Sequence, residues 1–157
     1  MRGSVTRSVF ALAVALWSLG CGDDSAAPPP GAMLAGPYAG SVELNDDTRT
    51  HLPAANESVA PADDVRFYWY AQEAMGKALA FEVRAETTAL EAGSVLHRVE
   101  EQVGESQFQG MLSVGPHELS RGGARQVDGH TRWLEGLYSV RIFVDDVELA
   151  TALFEVR

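Results

Sequence analysis

Gly136-Leu137-Tyr138-Ser139-Val140-Arg141-Ile142-Phe143-Val144-Asp145-Asp146-Val147 reads as a strand running into a turn. Tyr138, Val140, Ile142 and Val144 fall on one side of an extended chain, and Ser139, Arg141 and Phe143 fall on the other. That is the period-two pattern of a half-buried strand. Beyond Asp145-Asp146 the chain returns through Val147 to Arg157, with Ala152, Phe154 and Val156 on one face. Two such runs joined by a two-residue acidic turn predict a β-hairpin.

The same alternation recurs toward the N-terminus. Val65-Arg66-Phe67-Tyr68-Trp69-Tyr70 is dense in residues that pack well on a pleated surface. Leu79, Phe81 and Val83 alternate with Ala80, Glu82 and Arg84, and the run Leu79 to Ala85 is the expected pairing partner, reached through a turn at Met75-Gly76-Lys77. Thr87 to Val103 fits two patterns. Leu96, Val99 and Val103 have helical spacing, while Val95, Val99 and Val103 fit a strand equally well. Gly93-Ser94 would interrupt a helix at its middle, so a strand from Val95 to Val103 is preferred. Phe108, Leu112 and Val114 share a face of a further strand ended by Gly115-Pro116. Ser120 to Gly129 reads as a polar loop, and Ser41 to Leu44 as the first strand, ended by Asn45-Asp46-Asp47. Short alternating segments separated by turn residues are the signature of a β-sandwich or barrel.

From Trp133-Leu134-Glu135-Gly136-Leu137-Tyr138 to Phe154-Glu155-Val156 the sequence resembles the closing hairpin of bacterial immunoglobulin-like domains. In those domains a Gly-x-Tyr-x-Val strand, a short acidic turn and a Phe-x-Val strand complete the sandwich. The resemblance implies an all-β fold, a single immunoglobulin-like or fibronectin-III-like antiparallel β-sandwich. It also implies that Tyr138 bonds back to the chain at a corner. It says nothing about a ligand, because that sandwich carries many unrelated roles.

The N-terminus carries a different message. Arg2 and Arg7 precede an apolar stretch of about 11 residues from Val9, which ends in small residues, the layout of a secretory signal and too short to span a bilayer. Ser18-Leu19-Gly20-Cys21 resembles the looser form of the bacterial lipobox, and Cys21 is the chain's single cysteine. The resemblance implies cleavage before Cys21 and acylation of its thiol and new amino group. Acylation anchors a protein on a bilayer without a spanning helix. Gly22, rather than Asp, follows the cysteine, which points to the outer membrane of a diderm bacterium. The expected organisation is a signal peptide over residues 1–20, a lipidated cysteine with a flexible proline-rich tether over 21–37, and the sandwich over 38–157. Pro28-Pro29-Pro30 favours extended polyproline geometry in the tether.

Composition narrows the function classes. The formal charge of −10 opposes nucleic acid and anionic lipid as direct partners of the folded part. With one cysteine there is no internal disulfide, and the thiolate zinc motifs are unavailable. His51, His97, His117 and His130 stand far apart in sequence and form no local metal motif. There is no Gly-x-Ser-x-Gly elbow, Walker loop or dinucleotide fingerprint. Asp46-Asp47, Asp63-Asp64 and Asp145-Asp146 sit where turns are drawn. Loop carboxylates can hold calcium, but aspartate is also common in turns because it bonds the local backbone.

The expectation is therefore a lipid-anchored envelope protein with a non-catalytic binding or structural module, no cofactor, and another envelope protein or a glycan as partner. A small glycan hydrolase using carboxylates distant in sequence is the alternative. The candidate contact residues are Tyr68 and Tyr70, on the strand face opposite Phe67 and Trp69, and the arginines Arg121, Arg125 and Arg132 of the loop region. Flat aromatic surface stacks on sugars or anchors a protein partner.

Overall fold

A computed structural model describes residues 31–120 and 122–157. Cys21, the signal segment, residues 21–30 of the tether and Arg121 lie outside the described residues. The final hairpin is as the sequence reads. β8 (Gly136–Val144) and β9 (Val147–Val156) are antiparallel, with Tyr138 opposite Phe154 and Val144 opposite Val147. Asp145 and Asp146 both adopt positive φ, 52° and 61°. A turn with two left-handed residues matches the twist of the strands it joins, and aspartate tolerates that conformation better than bulkier residues.

Around this hairpin the chain builds an antiparallel all-β sandwich. One sheet has the order β4-β3-β8-β9, with β3 at Ala78–Thr87 and β4 at Val95–Gln102. The other has the order β1-β2-β5, with β1 at Met33–Tyr38, β2 at Val65–Tyr70 and β5 at Gln109–Val114. A separate two-stranded ribbon pairs β6 (Ala124–Val127) with β7 (His130–Trp133). Between the sheets lie Phe67 and Trp69 from β2, Phe81 from β3, Val140 and Ile142 from β8, and Phe154 from β9. Tyr138 stacks on Phe154 at 5.2 Å, and Trp133 meets both edge-on at 5.2 and 5.5 Å. Each such ring removes roughly 150–250 Å² from water, so this cluster dominates the core. The Tyr138 hydroxyl donates to the Leu134 carbonyl at 2.7 Å, the corner bond that the resemblance implies.

Several local expectations need correction. β2 does not pair with β3. It pairs with β1 and β5, and a 3-10 turn at Gln72–Ala74 carries the chain into the opposite sheet. Both runs alternate, and alternation records burial without naming the neighbour. Ser41 to Leu44 is not a strand. The first strand is Met33–Tyr38, so the boundary at 37/38 cuts through β1. Gly36 and Pro37 made it read as tether, yet β1 is an edge strand, where proline is tolerated. The Ser120 to Gly129 loop contains β6 and turns at Asp128 and Gly129, both at positive φ. Phe108 leaves the face of Leu112 and Val114 and packs on Tyr70 at 5.7 Å, because it precedes β5. The ambiguous segment is the strand preferred above, entered after Gly93 at φ 83°.

Candidate functional site

Tyr68 and Tyr70 do sit opposite Phe67 and Trp69, but they are not a surface. Tyr68 is fully buried and Tyr70 is 7% exposed. With Tyr38 they form a second, smaller core, covered by Val42 and Leu52 from the irregular chain between β1 and β2 and flanked by Phe108 and Met111. The Arg49 guanidinium lies 4.1 Å above the Tyr70 ring, and the Tyr68 hydroxyl donates to Gln109 Oε1 at 2.8 Å. Burial, with the nearby Tyr70, pushes the Tyr68 phenol up to about 12. The pair is structural. Sequence alternation placed these rings on the second face without showing that a loop closes over it.

The arginines of the larger sheet and those of the β6–β7 ribbon differ in their surroundings. On the outer face of the larger sheet, Glu82 is 5% exposed and takes Arg84 and Arg98, each at 2.5 Å. Glu86 takes the Ser139 hydroxyl at 2.6 Å and Arg141 at 3.2 Å, and Arg141 also reaches Glu148 at 3.2 Å. Burial alone would raise the Glu82 carboxyl, but the bonds from Arg84 and Arg98 outweigh it and hold it below its ordinary range. The Ser139 bond, aided by Arg141, lowers Glu86 likewise. These carboxylates are ion-pair anions; a general acid needs its pKa raised instead. This face satisfies its own charges.

The β6–β7 ribbon is different. Its register sets Arg125 directly opposite Arg132 and Val127 opposite His130, so alternation gives Arg125, Arg132 and His130 one face. Like charges directly opposite on a ladder destabilise it. Arg125 has Glu135 only at 3.9 Å, with both side chains largely in water. Among the described residues, Arg132 forms no ion pair, and its Nε is covered without a hydrogen-bond partner.

Trp133 fixes where this ribbon sits. It is fully buried, its indole donates to the Asp63 carbonyl at 2.9 Å, and its backbone N–H donates to Pro61 O at 2.8 Å. Those bonds stitch β7 to the chain ahead of β2. The 3-10 turn Pro116–Glu118 closes the third side, held by the Gly115 N–H donating to Glu118 Oε2 at 2.6 Å. The result is an open cleft of about 400 Å³ lined by Asp64, His117, His130, Thr131 and Arg132, among others. A Cβ on Gly115 would run into Asp64 Oδ1 and the His117 ring, so the bare glycine leaves both side chains room at this edge of the cleft.

Of the expected site residues, Arg132 belongs to this cleft, Arg125 lies beside it on the ribbon, and Tyr68 and Tyr70 lie elsewhere. The sequence reading considered Asp64, His117 and His130 separately, as a turn carboxylate and scattered imidazoles, and did not bring them into one site. The usable signal was Asp128-Gly129, a strong hairpin dipeptide, which would have put His130 and Arg132 on one strand face. Three members of the acidic pairs serve local structure. Asp145 meets Lys77 at 2.8 Å, Asp146 lies 3.4 Å from Arg98, and Asp63 accepts from the Ala60 N–H at 3.2 Å. No group of three or more His, Cys, Asp or Glu side chains that could hold a metal occurs among the described residues. No helix among them is long and apolar enough to cross a membrane.

No protein-family model matches the chain, and no curated protein matches it. A solved structure that resembles it is the Pseudomonas fluorescens alkylpurine DNA glycosylase AlkC bound to DNA containing an abasic site analog. The two are 14% identical, with a TM-score of 0.38 over 64% of this chain and 27% of that one. The chain therefore spans about a quarter of that protein's length, and a likeness at this level carries no argument about function.

Proposed function

We propose that this protein is a lipid-anchored component of the bacterial cell envelope, held by acylated Cys21 at the outer membrane, whose sandwich is a non-catalytic binding module for another envelope protein or a glycan. Its recognition surface is the β6–β7 end of the domain. The observation that carries this reading is the pairing of Arg125 with Arg132 on one exposed ribbon face. Arg84, Arg98, Arg141 and Arg157 each have a carboxylate within 3.4 Å, whereas this ladder position sets two cations opposite each other. A ladder position that costs stability and gains nothing within the chain is where function is to be sought.

We read the fold as fibronectin-III-like within the immunoglobulin-like group. Three strands face four, β4 lies beside β3 at the edge of the larger sheet, and Tyr138 makes the corner bond near the start of the penultimate strand. The lipobox resemblance at Cys21 and the proline-rich stretch after it support the anchor and its spacer.

The test is affinity purification of the intact lipoprotein from cross-linked cells, beside a Cys21→Ala form and an Arg125→Ala/Arg132→Ala form. The expected result is a partner retained by Cys21→Ala at higher dose and lost by the double arginine variant. Membrane release unaffected by Cys21→Ala would refute the anchor. A partner captured equally by the double variant would refute the surface.

A further inference from the structure

We infer that the cleft between the 62–64 loop, the Pro116–Glu118 turn and β7 binds a phosphate monoester group. This rests on the reading of that end of the domain as its recognition surface and gives the ligand its chemical class. Donor-bearing residues of two separate elements line one open volume: Arg132 and His130, which share a face of β7, and His117 of the 3-10 turn. Donors from several directions suit a tetrahedral group with three terminal oxygens better than a planar carboxylate, and guanidinium is the side chain best matched to phosphate. Arg132 forms no ion pair among the described residues, and its covered Nε, like that of Arg49, is bonded to no protein atom.

Asp64 decides between tetrahedral anions. It is the carboxylate of the cleft lining, beside bare Gly115. A fully ionised anion would be repelled by it. A phosphate monoester has its second pKa near 6, so part of it retains a P–OH that can donate to Asp64. Sulfate has no such proton. The chain's net charge of −10 does not oppose this local site, because exposed charges more than about 8 Å away are largely screened at physiological salt.

The experiment is calorimetric titration of the intact chain, in neutral detergent at about pH 6, with inorganic phosphate and separately with sulfate. Phosphate should bind with a Kd of about 1 mM or tighter and be preferred to sulfate. Arg132→Ala should weaken it about tenfold or more, and His130→Ala, at an exposed turn-side position, should weaken it without affecting the melt. Asp64→Asn should bring sulfate level with phosphate, while Arg98→Ala, on the sheet face, should change nothing. Competition by a hexose phosphate or by phosphatidic acid vesicles then separates a glycan source from a lipid source. No saturable phosphate binding, equal sulfate binding by the unaltered chain, or binding indifferent to both Arg132→Ala and His130→Ala would overturn the inference. Capture of a partner in cells that depends on Arg125 and Arg132 but not on phosphate would overturn this ligand class alone and leave the recognition surface standing.

Discussion

Gly110 stands in the middle of β5 directly opposite Trp69, and a methyl group there tests how the core is assembled. The position has no backbone strain to confuse the result, since its conformation is not left-handed. A Cβ at Gly110 would lie 2.6 Å from the Trp69 Nε1 and 2.8 Å from two further indole carbons. Contact distances near 3.5–4.0 Å are required, so the indole would have to retreat by about 1 Å. It has little room, being 1% exposed and leaning on Phe81 with ring centres 6.4 Å apart. Overpacking of this kind costs about 1–3 kcal/mol. At about 3–6 °C per kcal/mol for a domain of this size, Gly110→Ala should lower the melting temperature by about 6–12 °C at the middle of that range. Urea unfolding with an unchanged slope and a weakened tryptophan near-ultraviolet dichroism band would accompany it. Gly115→Ala is the control. Its Cβ meets only the ends of two exposed side chains, which can swing aside, so it should cost under about 0.5 kcal/mol while disturbing the cleft. A Gly110→Ala protein within about 0.5 kcal/mol of the parent, with its dichroism intact, would refute the packing of Trp69 over β5.

Tyr138→Phe keeps the stacked ring but strands the Leu134 carbonyl, and should cost about 1–2 kcal/mol in urea denaturation. Glu82→Gln should destabilise by about 1–3 kcal/mol at neutral pH, less than a fully buried pair because Arg84 and Arg98 are 27% and 38% exposed. Glu82 and Glu86 are both lowered on folding, so their stabilisation is complete above the ordinary carboxylate range and disappears as pH falls below it. The difference between Glu82→Gln and the parent should therefore narrow in urea titrations repeated below about pH 4. Arg49→Ala removes the cation above Tyr70 at a cost of about 0.5–2 kcal/mol, and limited proteolysis should then cut first between residues 39 and 58.

The fold class was legible because alternation is a direct record of burial. Tyr138, Val140, Ile142 and Val144 face the core as their spacing requires, and Asp145-Asp146 forms the turn its side chains allow. Pairing was less legible. Leu79 to Ala85 follows Val65 to Tyr70 and has the right pattern to be its neighbour, yet Ala71 donates to the Phe108 carbonyl and the chain leaves that sheet. Nothing local in the Gln72 to Lys77 stretch distinguishes a hairpin turn from a crossing between sheets. Tyr68 and Tyr70 show the deeper limit. Which face of a strand meets water depends on whether a distant loop lies over it, and Val42, Leu52 and Arg49 reach these rings from a segment with no periodicity to read.

The site was hidden for a related reason. Asp64, His117 and His130 are far apart in the chain, and what gathers them is one tryptophan. Trp133 bonds the Pro61 and Asp63 carbonyls with its two N–H groups and packs edge-on against the stacked Tyr138 and Phe154 rings, which sets the height of β7 against the Pro116–Glu118 turn. Once β7 is placed, residues two apart on it must share a face, so His130 and Arg132 arrive together by geometry alone. The acidic chain then divides its arginines by use. Those on the broad sheet are consumed by neighbouring carboxylates and serve stability, whereas Arg125 and Arg132 face one another with little to neutralise them. Internal pairing would have been easy in a chain with almost twice as many carboxylates as cations. Its omission at this ribbon is the reason to look there for the partner.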